Sequence, residues 1–323
     1  VRNGFIIWKG QAADTLHAVF SCTKIFTSTV MGLLATEGKL EVTDFAEKYM
    51  PDITEGNLGQ ETYTTLRLIH LASMSGGYDP VRTDCWDLHL QGRHEESLEC
   101  TKGYIIPGKP RFSPGTHWSY RDPEVHLLGH ILTSISGKSL YDLFKQGIAD
   151  KIGMSEWKWS DYGINRQGVL FNNPAGTPND TDVDDINIFQ AGIWITPLDF
   201  ARLGLLYVCN GKWKGEELLD SGFTRMAITN RIPVETPAIG IDNAGRYGFY
   251  WWTNGVQKNG KRPWPSAPPL TSTAHGNGSN FCYVIPEWNM VIVRMSPHNK
   301  SLMGSEREET WEGFFSRLKP GIK

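Results

Sequence analysis

Two side chains with complementary acid–base chemistry open the first strongly apolar segment of this sequence. Ser21 and Lys24 form a Ser-x-x-Lys motif, and a spacing of three residues places both side chains on one face of a helix. A serine hydroxyl becomes an effective nucleophile when a neighbouring base removes its proton. A desolvated lysine, with a pKa lowered from its ordinary value of about 10.4, can be that base. The motif therefore predicts a serine nucleophile activated by a lysine.

Ser-x-x-Lys also arises by chance, so the prediction needs further residues. Tyr120 lies in a Pro- and Gly-containing turn just before a predicted helix, where it could share a proton with Ser21 and Lys24. A third segment, residues 274–280, precedes a predicted strand and contains glycines that let a substrate approach the backbone. The three segments together predict one active site assembled from distant parts of the chain.

The order and spacing of motifs along nearly the whole chain resemble the serine β-lactamase-like family. This family holds class C β-lactamases, D-alanyl-D-alanine peptidases, family VIII carboxylesterases and 6-aminohexanoate-dimer hydrolases. The motifs that carry the resemblance are Phe20-Ser21-x-x-Lys24, Glu37-Gly38-Lys39-Leu40 with Tyr49-x-Pro51, Leu71 to Gly76, Pro114-Gly115-x-x-x-x-Tyr120, Ile152-Gly153-Met154, Asp199 to Gly204, and Tyr247-Gly248-x-x-Trp251.

The resemblance implies a division of roles. Ser21 would be the acylated nucleophile, Lys24 the base that activates it, and Tyr120 the proton relay to the leaving group and later to water. The oxyanion would be held by the Ser21 N–H and a backbone N–H from the third segment. The further candidates for oxyanion or substrate binding are Asp122, His275, Gly276, Asn277 and Gly278.

Two departures from the family pattern bear on the substrate. Many members have Tyr-x-Asn where this chain has Tyr120-Arg121-Asp122, and β-lactamases have Lys-Thr-Gly where this chain has only the stretch 275–278, without a lysine. A carboxylate near the site and a missing fixed cation both disfavour substrates that carry a carboxylate. The sequence thus favours a serine hydrolase of small esters or amides. The alternatives are β-lactamase or D-Ala-D-Ala peptidase activity, or a catalytically idle member that binds a peptide or cell-wall fragment.

Composition excludes several other classes of protein. The 323 residues include 32 Lys and Arg against 35 Asp and Glu, for a formal charge of −3, so the clustered basic surface of a nucleic-acid-binding protein is not expected. No apolar run reaches the roughly 18 residues of a membrane-spanning helix.

The expected partner is a small-molecule substrate, and no cofactor is expected. His126 and His130, and the Asp180-x-Asp182-x-Asp184 stretch, lack the remaining features of zinc and calcium sites, so no metal is expected either.

Periodicity predicts an α+β fold, with helices in the middle of the chain and an antiparallel sheet formed from both chain ends. The resemblance implies that this fold is of the β-lactamase/transpeptidase type, with the sheet flanked by helices and a mostly helical subdomain. Residues 1–60 and 190–323 would form the α/β subdomain, and residues 61–189 the helical one with active-site loops. Residues 1–8 are expected to form a hairpin turn leading into a strand, and the sequence is expected to begin inside a longer precursor. The predicted helices are 21–38, 64–72, 123–135, 139–148, 197–209 and 306–318; the predicted strands are 247–252, 280–285 and 290–295.

Five cysteines leave at least one thiol unpaired. Cys85 and Cys100 share one irregular segment and are the plausible local disulfide if the compartment is oxidising. A periplasmic or secreted location would be favoured if they are paired.

Overall fold

The computed structural model describes residues 1–49, 65–78, 110–159, 192–240, 244–296 and 304–322. The α-helices of these ranges are α1 (Lys24–Thr36), α2 (Leu68–Ala72), α3 (Asp122–Ser136), α4 (Leu140–Phe144), α5 (Asp150–Ile152), α6 (Pro197–Val208), α7 (Ser221–Ala227) and α8 (Gly304–Leu318). The strands are β1 (His17–Ala18), β2 (Trp157–Trp159), β3 (Ile193–Ile195), β4 (Lys212–Trp213), β5 (Glu216–Glu217), β6 (Trp252–Thr253), β7 (Ser272–Gly276), β8 (Asn280–Ile285) and β9 (Met290–Arg294).

The main sheet is antiparallel, in the order β6-β7-β8-β9. The first residues of the chain extend it beyond β9, because Val1 and Val291 exchange hydrogen bonds and the Asn3 N–H donates to the Asn289 carbonyl. The prediction of a sheet formed from both chain ends is therefore confirmed. A second, three-stranded sheet has the order β1-β3-β2 and lies next to the start of α1.

Helix α1 is the centre of the hydrophobic core. Its residues from Lys24 to Leu34 are all buried, because the helix packs against α3, α4 and α7 on different sides. Gly32 and Gly147 allow this close packing. A methyl group at Gly32 would lie 2.3 Å from the ring of Phe223, and one at Gly147 would lie 2.2 Å from the side chain of Leu33.

Helix boundaries follow local capping chemistry. The Ser139 and Thr196 hydroxyls accept hydrogen bonds from the third residue of α4 and α6 respectively, which satisfies backbone donors that the first turn leaves open. Helix α3 ends at Gly137, whose φ of 65° suits glycine in the left-handed region. The bounds predicted for α1, α3, α6 and α8 are confirmed to within a few residues. The chain after α4 continues as a π-helical segment, Lys145–Ala149.

Three predicted elements differ in the structure. The predicted strand 247–252 is a tight turn, in which Tyr250 has a φ of 63° and only Trp252 pairs with β7. Residues 6–8 form no strand after the turn at Arg2–Phe5, although that turn is present. The stretch before β8, for which no strand was predicted, contains the central strand β7. Its Ala-His-Gly sequence lacks the β-branched pattern by which strands are usually recognised.

Helix α8 covers the outer face of the main sheet through a second apolar cluster that includes Trp264, Phe281, Tyr283, Trp311 and Phe315. In the described part of the chain, no helix is long and apolar enough to cross a membrane. Cys85, Cys100 and the acidic stretch 180–184 lie outside the described residues. The division into subdomains stays a prediction.

Candidate active site

Ser21 lies in a strained turn at the start of α1. Phe20, the residue before it, has a φ of 49°, a left-handed conformation that costs a non-glycine residue roughly 1–2 kcal/mol. The turn Phe20–Thr23 is a 3₁₀ helix that leads directly into α1. The Val19 N–H donates to the Ile193 carbonyl of β3, and the Ile193 N–H donates to the Thr23 hydroxyl. These bonds fasten the turn on both sides of Ser21, whose side chain is partly exposed.

Lys24 is buried beneath Ser21, with 1% of its side chain exposed. Its Nζ atom lies 3.1 Å from Ser21 Oγ and 2.8 Å from Asp122 Oδ1. Tyr120 is the third neighbour: its hydroxyl hydrogen bonds to Lys24, and the ammonium lies 5.0 Å from the centre of its ring. The structure thus joins Ser21, Lys24, Tyr120 and Asp122 into one group, called here the Lys24 cluster.

The charge of Lys24 differs from the sequence prediction. Burial lowers its pKa, as expected, but the Asp122 carboxylate and the Tyr120 hydroxyl raise it by more, so the pKa of Lys24 lies above its ordinary value. The prediction of a lowered lysine pKa is therefore wrong for the free protein. Lys24 is an ammonium at neutral pH, and it donates hydrogen bonds to Ser21 and Asp122.

Tyr120 is held by aromatic packing. Its ring stacks on Trp252 of β6 at 5.6 Å between centroids, and it meets Tyr247 edge to face. Trp118, two residues earlier, packs edge to face on the same two rings. This packing fixes the ring direction while the hydroxyl reaches Lys24.

Asp122 is the first residue of α3, and its side chain is 25% exposed. The sequence assigned it to oxyanion or substrate binding and expected it to repel carboxylate substrates. In the structure it forms the ion pair with Lys24 instead, so its negative charge is compensated inside the protein. A carboxylate at the first turn of a helix is also stabilised by the helix dipole.

Gly276 brings β7 against the serine turn. A methyl group at this position would lie 2.0 Å from the Val19 carbonyl oxygen and 3.2 Å from the Cys22 backbone nitrogen. Only glycine allows the two backbones to come this close. The backbone of β7 therefore runs beside the Ser21 turn, as expected of a segment that shares an oxyanion site with it.

The turn after β7, residues 277–279, lies next to this contact. Asn277 is exposed, Gly278 has a φ of 73°, and the buried Ser279 has a φ of 59°. Asn280 fastens the turn, because its side-chain amide donates to the Ala18 and Asn277 carbonyls. Arg294 of β9 donates to the Ser279 carbonyl. The unfavourable left-handed conformation at Ser279 is held by these bonds from outside the turn.

His275 faces away from the serine turn, toward α8. Its ring stacks on Phe281 at 4.7 Å, and its Nδ1 atom lies 3.1 Å from Arg307 Nη1. Burial, followed by the positive charges of Arg307, Arg246 and Lys24, lowers the pKa of His275 to about 3. His275 is thus neutral at physiological pH and accepts a hydrogen bond from Arg307. We call His275, Phe281 and Arg307 the His275 wall.

Sequence reasoning missed Arg307. The missing lysine of the 275–278 stretch suggested that this part of the site carries no cation, yet α8 supplies a guanidinium to the same strand. Nothing local in the sequence marks this residue, because the contact joins two segments that are far apart along the chain.

Glu124 is a second buried ionisable group near the site. It is fully buried in the first turn of α3 and accepts a hydrogen bond from the Gly76 N–H. Burial raises the pKa of Glu124 to about 8, against the opposing effects of the Gly76 hydrogen bond and of Arg121. Glu124 connects the end of the segment 65–78 to the helix that carries Asp122. No cluster of metal-ligating side chains occurs among the residues that the structure describes.

Comparison with known proteins shows the family of the chain. The β-lactamase family profile matches residues 8–312, which is most of the chain. The chain belongs to the β-lactamase family. Family membership makes it a serine hydrolase by class, as the resemblance in the sequence implied, and the α+β architecture of the β-lactamase/transpeptidase type is confirmed.

Individual relatives are distant. A β-lactamase of Pseudomonas fluorescens is 29% identical over 143 residues, which cover 44% of this chain and 36% of that protein. AmpH of Escherichia coli K12, a D-alanyl-D-alanine-carboxypeptidase/endopeptidase, is 23% identical over 293 residues, covering 88% of this chain and 72% of AmpH. The solved structure of EstCE1, a hydrolase with promiscuous acyltransferase activity, superposes with a TM-score of 0.68 at 15% identity, covering 97% of this chain and 92% of EstCE1.

Proposed function

We propose that this protein cleaves small esters or amides through an acyl-enzyme formed on Ser21. The observation that carries the proposal is the placement of Lys24 Nζ within 3.1 Å of Ser21 Oγ and 2.8 Å of Asp122. A serine with only a structural role does not need a buried lysine as a hydrogen-bond partner, because a partly exposed hydroxyl can form its hydrogen bonds with water. Family membership supports the same reaction class.

In the proposed reaction, Ser21 Oγ attacks the carbonyl carbon of the substrate and its proton passes to Lys24. The leaving group then receives a proton through Tyr120, whose hydroxyl is hydrogen bonded to Lys24. Water enters after the leaving group departs, and the same groups remove its proton so that it can attack the acyl-serine. The two half-reactions use one proton-transfer path in opposite directions.

The developing oxyanion needs donors beside Ser21. We place them at the Ser21 N–H and at the backbone of residues 276–279, because Gly276 brings this backbone against the Val19–Cys22 segment. Fixed backbone donors stabilise the charge without reorganising when the reaction occurs. The bonds from Asn280 and Arg294 would keep these donors in place.

Esters and small amides are preferred as substrates because His275 is neutral and no lysine stands in the 275–278 stretch. A second candidate is a substrate that carries a carboxylate, as a penicillin or a D-alanyl peptide does. Arg307 of α8 favours this candidate, since its guanidinium lies 3.1 Å from Nδ1 of His275 on β7. The names of the Pseudomonas fluorescens β-lactamase and of AmpH point the same way.

A fluorophosphonate probe tests the proposal, because it labels only an activated serine. We expect intact-mass analysis to show one adduct on the wild-type protein and none on Ser21→Ala. The matched control is Cys22→Ala, which removes the buried neighbouring thiol and should keep the adduct. Labelling of Ser21→Ala at the wild-type rate would refute the nucleophile assignment. Rates on p-nitrophenyl butyrate and on nitrocefin, measured side by side, then distinguish the two substrate classes.

A further inference from the structure

We propose that Asp122 is a positioning residue that takes the proton of Lys24 when a substrate covers the site, and so converts Lys24 into the base for Ser21. This inference rests on the proposed function. An ammonium cannot accept the Ser21 proton, so Lys24 must lose a proton before it can act as the base.

The two members of the pair have unequal access to water. Lys24 is 1% exposed, whereas Asp122 is 25% exposed, and the two lie 2.8 Å apart. Water thus stabilises the charged pair from the Asp122 side only. A substrate that covers Asp122 removes this water, and the loss of hydration disfavours two separate charges relative to a neutral acid and a neutral amine.

The proton transfer is balanced within the pair. One N–H bond of Lys24 breaks and an O–H bond forms on Asp122, so the ammonium and carboxylate become an amine and a carboxylic acid. The freed electron pair of Lys24, 3.1 Å from Ser21 Oγ, then accepts the serine proton as Oγ bonds to the substrate carbonyl. No outside acid or base takes part.

Other ionisable groups surround Lys24 and do not replace Asp122 in this step. Tyr120 approaches from the segment before α3, and Cys22 stands in the serine turn as a thiol whose pKa burial raises. His275 lies on β7 with a lowered pKa, and Glu124 on α3 has a raised one. In the described residues, Asp122 is the carboxylate that forms an ion pair with Lys24.

The proposal predicts a distinctive pH dependence. The charged pair and the neutral pair hold the same number of protons, so in the wild-type protein the reactive state needs no proton from or to the solvent near neutral pH. In Asp122→Asn, Lys24 must release its proton to the solvent before it can act. Its rate should then fall about tenfold for each pH unit below the pKa of Lys24, which burial without a carboxylate partner lowers.

The test is the rate of fluorophosphonate labelling of Ser21 between about pH 6 and pH 9, in the wild type, Asp122→Asn and Asp122→Glu. We expect the labelling rate of the wild type to be nearly independent of pH and that of Asp122→Asn to rise with pH. The ratio of the Asp122→Asn rate to the wild-type rate should be at least about tenfold lower at about pH 6 than at about pH 9. Asp122→Glu keeps a carboxylate and should restore the flat shape at a reduced rate. The control is Asp150→Asn, which removes the exposed Lys145–Asp150 ion pair.

The role of Asp122 would be overturned if the wild type and Asp122→Asn gave the same pH profile while labelling still depended on Ser21. The proposed function would then still stand. Absence of Ser21-dependent labelling in the wild type would overturn both. Melting temperatures of all variants, measured at each pH, separate a loss of fold from a change in activation. If Asp122→Asn does not fold, a sloping profile for Asp122→Glu would overturn the proposal.

Discussion

The Lys24 cluster lies beside the serine turn and the His275 wall faces α8, and the basic side chains of the two regions differ in charge. Lys24 remains an ammonium, because Asp122 lies 2.8 Å away. His275 is neutral, because burial, followed by the positive charges of Arg307, Arg246 and Lys24, lowers its pKa. Burial lowers the pKa of both bases, and the carboxylate of Asp122, together with the Tyr120 hydroxyl, keeps the proton on Lys24. The protein thereby holds a cation, Lys24, beside its candidate nucleophile and a neutral imidazole, His275, on the neighbouring strand β7.

The largest expected effect comes from removing the nucleophile of the Lys24 cluster. Ser21→Ala should lower the hydrolysis of p-nitrophenyl butyrate by at least about 10³-fold. The melting temperature should change little, because one partly exposed oxygen is lost. Combining it with Lys24→Ala should cost little more, since residues that act in one step are not additive. Turnover by Ser21→Ala within about tenfold of wild type would remove Ser21 from the mechanism.

Tyr120→Phe tests whether the cluster moves protons or only packs. The ring keeps its stacking on Trp252 while the hydroxyl contact to Lys24 is lost. We expect kcat to fall by roughly 10²–10⁴-fold, as for other general acid–base groups, with a small change in melting temperature. The opposite pattern, a lower melting temperature with normal turnover per folded molecule, would make Tyr120 a packing residue.

Glu124→Gln tests a buried acid that, unlike Asp122, is not paired with Lys24. With its pKa raised to about 8, Glu124 contributes stability that is complete below the unfolded pKa of about 4.5 and is lost as the pH rises toward 8. The uncharged amide lacks this dependence. The variant should therefore gain up to about 1.4 kcal/mol per pH unit over the wild type between these values. Chemical unfolding at about pH 5 and pH 8 measures it; a constant difference would contradict the neutral state.

His275→Gln should have the smallest effect. The folded pKa of about 3 lies below that of an unfolded histidine, so protonation favours the unfolded chain and stability falls as the pH drops below about 6.5. Because the ring is partly exposed, the slope should stay below the roughly 1.4 kcal/mol per pH unit of a fully buried group. Unfolding curves at about pH 7 and pH 5 should differ less for the variant than for the wild type. An equal difference would mean that His275 titrates normally.

The sequence predicted the parts of the site that depend on local spacing. Ser21 and Lys24 meet because the 3₁₀ turn that leads into α1 places residues three apart on one face. The helices predicted from residues 139 and 197 begin directly after the capping residues Ser139 and Thr196. Local rules were sufficient for these features because each is decided within one helical turn. The place of Tyr120 beside Lys24 was implied instead by the family resemblance.

Features decided by distant contacts were not predictable. The charge of Lys24 depends on Asp122, which only the fold brings near, and Arg307 reaches His275 from the last helix. Strand β7 was not predicted, because it is stabilised by pairing with two neighbouring strands and its own residues carry no strand pattern. Tyr250 turns the chain where alternating aromatic residues indicated a strand.

The contact of Gly276 with the Val19 carbonyl has a mechanical consequence. With no room for even a methyl group between them, β7 and the serine turn cannot approach further, and the hydrogen bonds from Asn280 to Ala18 and Asn277 hold them from separating. The two backbones therefore form one rigid unit with a fixed distance between them. Any adjustment to substrates of different size must come from the side chains and segments that face this rigid unit.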